Sequence, residues 1–305
     1  MLLITIAIPT YNNQSTILAA LDSCLRQSDL DNCEIILVDN ASTDRTSELL
    51  SNCANQFVRY IRNEETVSMC ENHNLCLDNA QGKYVLFCHS DDQLDKDAIK
   101  TLKNHLKARH YPEKYVCWGH SLFRDFSVSI NAFGIVTGQL FAGENAALPF
   151  LRAGLTPSGT CYSKDVVDCG GFIPSTHRLA PFDSSTMVFF ALEGYRFEMI
   201  QNILFFRRDA STANLSIRFE DYFKAYCDTY EQMLARLTLI QMQSLLKLIS
   251  ISLSLPCIGF MSKLDPRRAL KTLLKMFLRK PSLLCSSPFW CVSRHVCFSL
   301  FIKKK

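Results

Sequence analysis

The stretch FCHSDDQL, residues 87–94, closes an apolar run that begins at Tyr84 and sets His89, Asp91 and Asp92 almost side by side. Two carboxylates suit a hard divalent cation such as Mg²⁺ or Mn²⁺, which takes oxygen ligands and often shares its shell with substrate phosphates. Asp92 can equally cap a following helix, a position that Asp favours. His89 can ligate a metal itself. The residues leave these readings open.

The surrounding elements must position these groups. LLITIAIP (2–9) is a short β-branched apolar run stopped by Pro9, which reads as a buried strand. STILAALDSCLRQ (15–27) carries Ile17, Leu18, Leu21 and Leu25 at helical spacing, with Ser15 expected as N-cap. CEIILVDN (33–40) is a second buried strand, STDRTSELLSNCA (42–54) opens a helix, and FVRYIRN (57–63) is a third strand. TVSMCENHNLCLDNAQG (66–82) predicts a helix ended by Gly82 as a C′ glycine. KYVLFCH (83–89) is a fourth strand and DKDAIKTLKNHLKA (95–108) another helix.

Near-continuous apolar strands alternating with helices predict an α/β fold with a mostly parallel sheet covered on both faces. Such sheets bind ligands at the carboxyl ends of their strands. That rule gathers Pro9-Thr10-Tyr11, Asp39-Asn40 and His89-Ser90-Asp91-Asp92 into one crevice, although they lie far apart in the chain. Further on, YVCWGHSLF (115–123), SGTCYS (158–163) and FEMIQNILFFRR (197–208) read as strands, DCGGF (168–172) as a turn, and SSTMVFFALEGY (184–195) as a helix. From about Ile217 the pattern is long and helical, with Phe219, Tyr222, Phe223, Tyr226, Tyr230, Leu234 and Leu237 on one stripe.

Composition bounds the function. With 305 residues and 48% hydrophobic content, the chain can build one large domain and an appendage. The net charge of +4 is uneven. Residues 256–305 hold eleven Lys or Arg and the single acid Asp265, so the remainder is acidic. A basic tail on an acidic body predicts contact with an anionic membrane surface, and no nucleic-acid partner is expected. The fourteen cysteines form no C-x-x-C pair, and the start lacks the basic region of a secretory signal. These thiols are expected to stay reduced and pack as small hydrophobes. No uncharged apolar run reaches the ~18 residues needed to span a bilayer.

In order along the chain, IAIPTYNNQSTILAALDSCLRQ, EIILVDNASTDRT, NHNLCLDNAQGKYVLFCHSDDQL, GGF, FDSSTMVFFALEGYRF and LFFRRDAS resemble the nucleotide-sugar glycosyltransferases of family 2. The resemblance spans roughly residues 2–212. It implies a GT-A fold, a Rossmann-like sheet flanked by helices, over residues 1–215, with 216–305 as a basic helical extension. It also implies inverting transfer from a nucleoside-diphosphate sugar, a UDP-sugar first. By similarity Asp39 accepts a hydrogen bond from the base, a charge-assisted and therefore strong bond. Pro9, Thr10 and Tyr11 would line the base and ribose, with Asn72, Asn74, His89, Ser90 and Asp91 also touching the donor. Asp91 and Asp92 would hold Mg²⁺ or Mn²⁺. Asp183 falls on the general base, which must take the proton of an acceptor hydroxyl. Arg207, or Arg208, would meet the diphosphate.

The chain departs from the family pattern at three of these positions. His89 stands where relatives have the first acid of Asp-x-Asp-Asp. His73 takes an Arg-like position, and Phe182 replaces the Glu before the catalytic Asp. Gly170-Gly171-Phe172 matches a turn near the acceptor pocket, and His177 is a nearby candidate contact. No Gln-x-x-Arg-Trp motif is present, which points to single transfers.

RRALKTLLKMFLRKP (267–281) forms a basic amphipathic helix, with Leu270, Leu273, Leu274, Phe277 and Leu278 on one stripe. Together with the terminal lysines it predicts a peripheral protein on the cytoplasmic face of the inner membrane. The acceptor would then be a glycan or lipid-linked, in surface polysaccharide or lipopolysaccharide assembly. Two other readings compete. A sugar-phosphate nucleotidyltransferase would need a glycine-rich basic loop that PTYNNQST lacks, and a degenerate sugar-nucleotide-binding scaffold would explain His89 and Phe182.

Overall fold

The computed structural model describes residues 2–51, 53, 57–123, 137–143, 146–151, 154–175, 182–207, 219–245, 248, 266–279 and 293. The first part alternates as the pattern predicts. β1 (Ile4–Thr10), α1 (Ile17–Leu25), β2 (Cys33–Asp39), α2 (Thr46–Ser51), β3 (Val58–Arg62), α3 (Met69–Asn79) and β4 (Tyr84–Phe87) follow in turn. Next come β5 (Gln93–Leu94), α4 (Ala98–Ala108), β6 (Tyr115–Phe123), β7 (Leu140–Phe141), α5 (Ala147–Phe150), β8 (Thr160–Ser163), α6 (Asp183–Leu192), β9 (Arg196–Arg207) and α7 (Phe219–Arg236). The described strands form one sheet in the order β3-β2-β1-β4-β8-β6-β9-β5, with β7 paired to β9.

The sheet is mixed, with a parallel half that carries the crevice. β1 runs parallel to β2 and β4, and β2 parallel to β3. β8 is antiparallel to both β4 and β6, while β6 and β9 pair in parallel. Every residue of β1, β2 and β4 is buried, as strands covered on both faces must be. One core cluster joins Ile4, Ile6 and Ile8 of β1 to Leu21 of α1 and Leu102 of α4. Each such aliphatic side chain contributes roughly 1.5–3 kcal/mol by leaving water.

Local chemistry sets the helix ends. Ser68 starts α3 with a capping box: its side chain accepts from Glu71 N, and the Glu71 carboxylate accepts from Ser68 N. At the other end Lys164 donates to the Leu77 carbonyl at 2.6 Å and to that of Ala80, matching a cation to the negative helix terminus. Two expectations are corrected. Thr16, not Ser15, is the N-cap of α1, without a side-chain bond, and the Asn13 and Thr16 carbonyls take the first amides instead. Gly82 is no C′ glycine, because α3 ends at Asn79. It is required by a close approach, since a Cβ there would lie 2.5 Å from Thr5 N.

α7 buries Ala225, Thr229 and Met233 and leaves Leu234 of the expected stripe exposed, while the side chains of Phe219, Tyr222, Phe223 and Tyr226 lie outside the described residues. Tyr230 of the expected stripe lies 2.9 Å from Ser184 through its hydroxyl. The chain divides into two compact units, Met1–Leu237 and Thr238–Lys305. In the second lies α8 (Pro266–Arg279), with Leu273 buried and Leu274 and Leu278 exposed. Among the described residues, no helix is long and apolar enough to cross a membrane. Among the described cysteines, Cys24, Cys88, Cys117 and Cys161 are buried, Cys53 and Cys169 half-buried, and Cys227 exposed.

Gly82→Ala forces its Cβ onto the β1 backbone and should cost about 1–3 kcal/mol. A lowered urea midpoint at unchanged slope is the expected result; an unchanged midpoint would show that the contact relaxes freely.

Candidate active site

Parallel register brings the first two strand ends level. Thr10 pairs with Asp39, and Asn40 N donates to Thr10 O at 2.9 Å. The loop after β1 then laces the crevice together. Asn12 turns the chain at φ 52°, a left-handed conformation that Asn tolerates. Its backbone N–H reaches Ser42 Oγ at 2.9 Å, and its Oδ1 accepts from Thr43 N at 2.8 Å. Asn13 donates through its backbone to Thr46 Oγ1 at 2.9 Å and through its side chain to Ser90 Oγ. Pro9, Thr10 and Asp39 are therefore fixed beside the HSDD loop. Thr10 Oγ1 is buried without a hydrogen-bond partner among the described residues. Tyr11 is 38% exposed at the rim.

Asp39 is fully buried and heavily engaged. Its Oδ1 accepts from Ser42 N and Ser42 Oγ, and its Oδ2 from Tyr60 OH at 2.9 Å and from Arg62. A carboxylate has about four acceptor sites, so a nucleobase can bond to Asp39 only by displacing one of these donors.

His89, Asp91 and Asp92 each bring a ligand atom within 4.8 Å of the others. Asp91 is exposed and Asp92 buried, with Asp92 N donating to His89 O at 3.0 Å. One imidazole and two carboxylates fit a divalent cation, and the orphaned Thr10 hydroxyl fits a ligand in the same crevice. The backbone N–H of His89 donates to Ser158 Oγ at 3.1 Å. Its ring Nε2 lies 3.1 Å from Nε2 of His73.

His73 sits in an aromatic pocket, its ring stacked on Phe87 at 5.4 Å and edge-on to Phe182 at 5.1 Å. Burial, with His89 adding to it, pushes its pKa down to about 3. Thus two of the positions that depart from the family pattern, His89 and Phe182, both touch the third, His73.

Asp183 opens α6 and receives the Ser184 N–H at 3.0 Å. Burial raises its pKa from the ordinary carboxylate value, against the lowering effects of backbone hydrogen bonds and of nearby His89. Gly154 packs against it so closely that a Cβ there would lie 2.2 Å from its carboxylate oxygen. A desolvated carboxylate of raised pKa is suited to take a proton near neutral pH.

The model of the family "Glycosyl transferase family 2" matches residues 5–123, which contain β1 through β6 and the HSDD loop. Residues 5–123 are a family 2 glycosyltransferase domain. An uncharacterized glycosyltransferase of Haemophilus influenzae is 33% identical over 115 residues, 35% of this chain and 46% of that protein. Glycosyltransferase GlyG of Streptococcus pneumoniae is 30% identical over 148 residues, 48% of each chain. The crystal structure of Staphylococcus aureus TarS 1–349 with UDP-GlcNAc superposes with a TM-score of 0.58 at 20% identity, over 73% of this chain and 64% of that one. That likeness shows the α/β fold of a mostly parallel sheet flanked by helices. The chain spans less than half the length of these two sequence relatives.

Within this family 2 domain, some expected donor contacts have structural work to do. Asn72 donates to Val38 O at 3.2 Å and accepts from Asn63 at 3.0 Å. Asn74 clamps the glycine turn, donating to Phe172 O at 3.0 Å and accepting from Phe172 N at 2.8 Å. Gly171, at φ 67°, leaves room for that clamp, since a Cβ would lie 2.5 Å from Asn74 Oδ1. Arg207 ends β9; its side chain, Arg208 and His177 lie outside the described residues. Sequence reasoning missed Arg62, Ser158 and Gly154. Arg62 carried no local signal, while the isolated Gly154 near Gly159 was a readable sign of close packing.

Thr10→Val removes a hydroxyl that has no protein partner. Thermal stability should be unchanged or slightly higher, while UDP affinity by calorimetry should fall by about tenfold, the ~1.4 kcal/mol of one hydrogen bond. Unchanged UDP binding would remove Thr10 from the donor site.

Proposed function

We propose that the chain is an inverting glycosyltransferase that moves a sugar from a nucleoside-diphosphate donor, first of all a UDP-sugar, to a hydroxyl of a glycan or lipid-linked acceptor. The observation that carries this reading is the half-buried, raised-pKa carboxylate Asp183 near the His89-Asp91-Asp92 group. One groups a base and the other a cation site, the two requirements of the reaction. The TarS structure with UDP-GlcNAc supports the choice of UDP donor. The name of TarS, a poly(ribitol-phosphate) β-N-acetylglucosaminyltransferase, supports a surface-polymer acceptor.

In this mechanism Asp183 takes the proton from the acceptor hydroxyl as its oxygen attacks the anomeric carbon. The new C–O bond forms opposite the breaking bond to diphosphate, so the configuration inverts. Pro9, Thr10, Tyr11 and Ser90 line the nucleoside side. Asp39 takes the base N–H once one of its four donors yields; Arg62, whose side chain is 41% exposed, is the one with room to leave. Asp91 and Asp92 hold Mg²⁺ or Mn²⁺, which when bound neutralises charge gathering on the leaving diphosphate. By the family resemblance, Arg207 or Arg208 would meet the diphosphate.

The basic helix α8 supports a peripheral place on an anionic cytoplasmic membrane face. Leu274 and Leu278 are 51% and 75% exposed, next to exposed Lys271 and Lys275. An apolar edge beside cations is the pattern of an interfacial helix. A lipid-linked acceptor in surface polysaccharide or lipopolysaccharide assembly would be met there.

Asp183→Asn should keep UDP-sugar binding and lower transfer by about 10²–10⁴-fold; wild-type turnover would exclude Asp183 as the base. The pH dependence has a definite sign. The base works deprotonated, so wild-type transfer should fall as pH drops through the raised pKa of Asp183. Stability should run the other way. A folded-state pKa above the unfolded one penalises folding once the pH exceeds the unfolded value, so Asp183→Asn should raise the melting temperature at pH 7. Removing residues 256–305 should abolish sedimentation with phosphatidylglycerol vesicles. Binding of the full chain should weaken with added salt, and salt-independent binding would contradict the electrostatic contribution.

A further inference from the structure

The contact between His73 and His89 has a chemical consequence. His73 Nδ1 lies 2.8 Å from the Met69 carbonyl oxygen. A carbonyl only accepts, so the proton is on Nδ1. The aromatic pocket of Phe87, Phe172 and Phe182 keeps the ring neutral, so its Nε2 carries a lone pair. The hydrogen of the 3.1 Å contact between the two Nε2 atoms must then come from His89. His89 is thereby set in its Nε2–H tautomer, with the Nδ1 lone pair left to bind something else.

We propose that His89 Nδ1 is the third protein ligand, beside Asp91 and Asp92, of the donor-site cation, and that His73 is the positioning residue that selects this tautomer. The proposal rests on the glycosyltransferase reading for the presence of a cation and goes beyond it in ligand and metal class. Ligand atoms within 4.8 Å of one another lie at a spacing one ion can bridge. A ligating histidine commonly donates its other ring N–H to a fixed acceptor, which orients it. Here that acceptor is a second imidazole, anchored to a carbonyl of α3. Phe182 packs on the same imidazole at 5.1 Å and closes the pocket that a charged Glu would open to water. Imidazole nitrogen in place of a carboxylate oxygen shifts preference from Mg²⁺ toward first-row transition ions such as Mn²⁺ and Co²⁺.

Pulsed electron paramagnetic resonance of Mn²⁺ on the full chain tests the assignment. Wild-type protein should show nitrogen coupling on bound Mn²⁺. His89→Asp should retain Mn²⁺ without the coupling, and its preference for Mn²⁺ over Mg²⁺ should fall by about tenfold. His73→Leu should weaken Mn²⁺ binding by roughly 10–100-fold, and His73→Gln, whose amide oxygen can accept from His89, should recover most of it. Should His73→Leu not fold, His89→Asp still decides the ligand claim, because it leaves His73 and the phenylalanines around it in place. Mn²⁺ bound to wild type without nitrogen coupling, or no Mn²⁺ binding, overturns the proposal. UDP binding and sugar transfer, measured alongside, separate the two readings. Transfer without nitrogen coupling overturns the His89 assignment and leaves the transferase standing. Nitrogen-coupled Mn²⁺ in a chain that binds no UDP upholds His89 and overturns the transferase.

Discussion

The parallel pairing of β1 with β2 on one side and β4 on the other is the constraint on which the rest depends. It makes three strands end on the same edge of the sheet, with Thr10 level with Asp39 and the HSDD loop just beyond β4. Parallel strands cannot be joined by tight turns, so each connection crosses a face of the sheet with a helix. The loops that leave the strand ends are then free to meet. Asn12 and Asn13 hold the meeting in place through bonds to Ser42, Thr46 and Ser90.

Within that frame two imidazoles and a phenyl ring stand where the family resemblance implies ions. An Arg-like position, an acid and a Glu are occupied by His73, His89 and Phe182. His73 lies among aromatic neighbours, and both His89 and Phe182 contact it. This makes the three departures one event, and it weakens the reading of them as decay. A decaying site has no reason to lose its charges in matched fashion while keeping Asp91, Asp92 and Asp183.

Asp183 shows the cost of keeping a site reactive. Burial holds its carboxylate away from water, and Gly154 leaves no space for it to retreat. The local helix start offers it backbone N–H groups as compensating bonds, that of Ser184 at 3.0 Å. Desolvation is unfavourable for folding and useful for proton abstraction, the usual trade between stability and function. Asp39 is the opposite case, a buried carboxylate with all its acceptor sites filled, and it stabilises the strand edge until a ligand competes for it.

Periodicity and motif determined much of this protein. The alternation of apolar strands with helices was legible through β4 and α4, because each such element is specified by its own residues. So was the grouping of Thr10, Asp39 and the HSDD loop, which follows from strand direction alone. Helix ends were less legible. Gly82 looked like a helix stop and is a packing glycine, since the approach of β1 that demands it comes from 77 residues away. Tertiary structure alone decided that His73 faces His89, that Asn74 spends its amide on Phe172, and that Arg62 occupies Asp39. These contacts depend on which side chains packing brings within 3 Å or so of each other, and no local pattern in the chain encodes that distance.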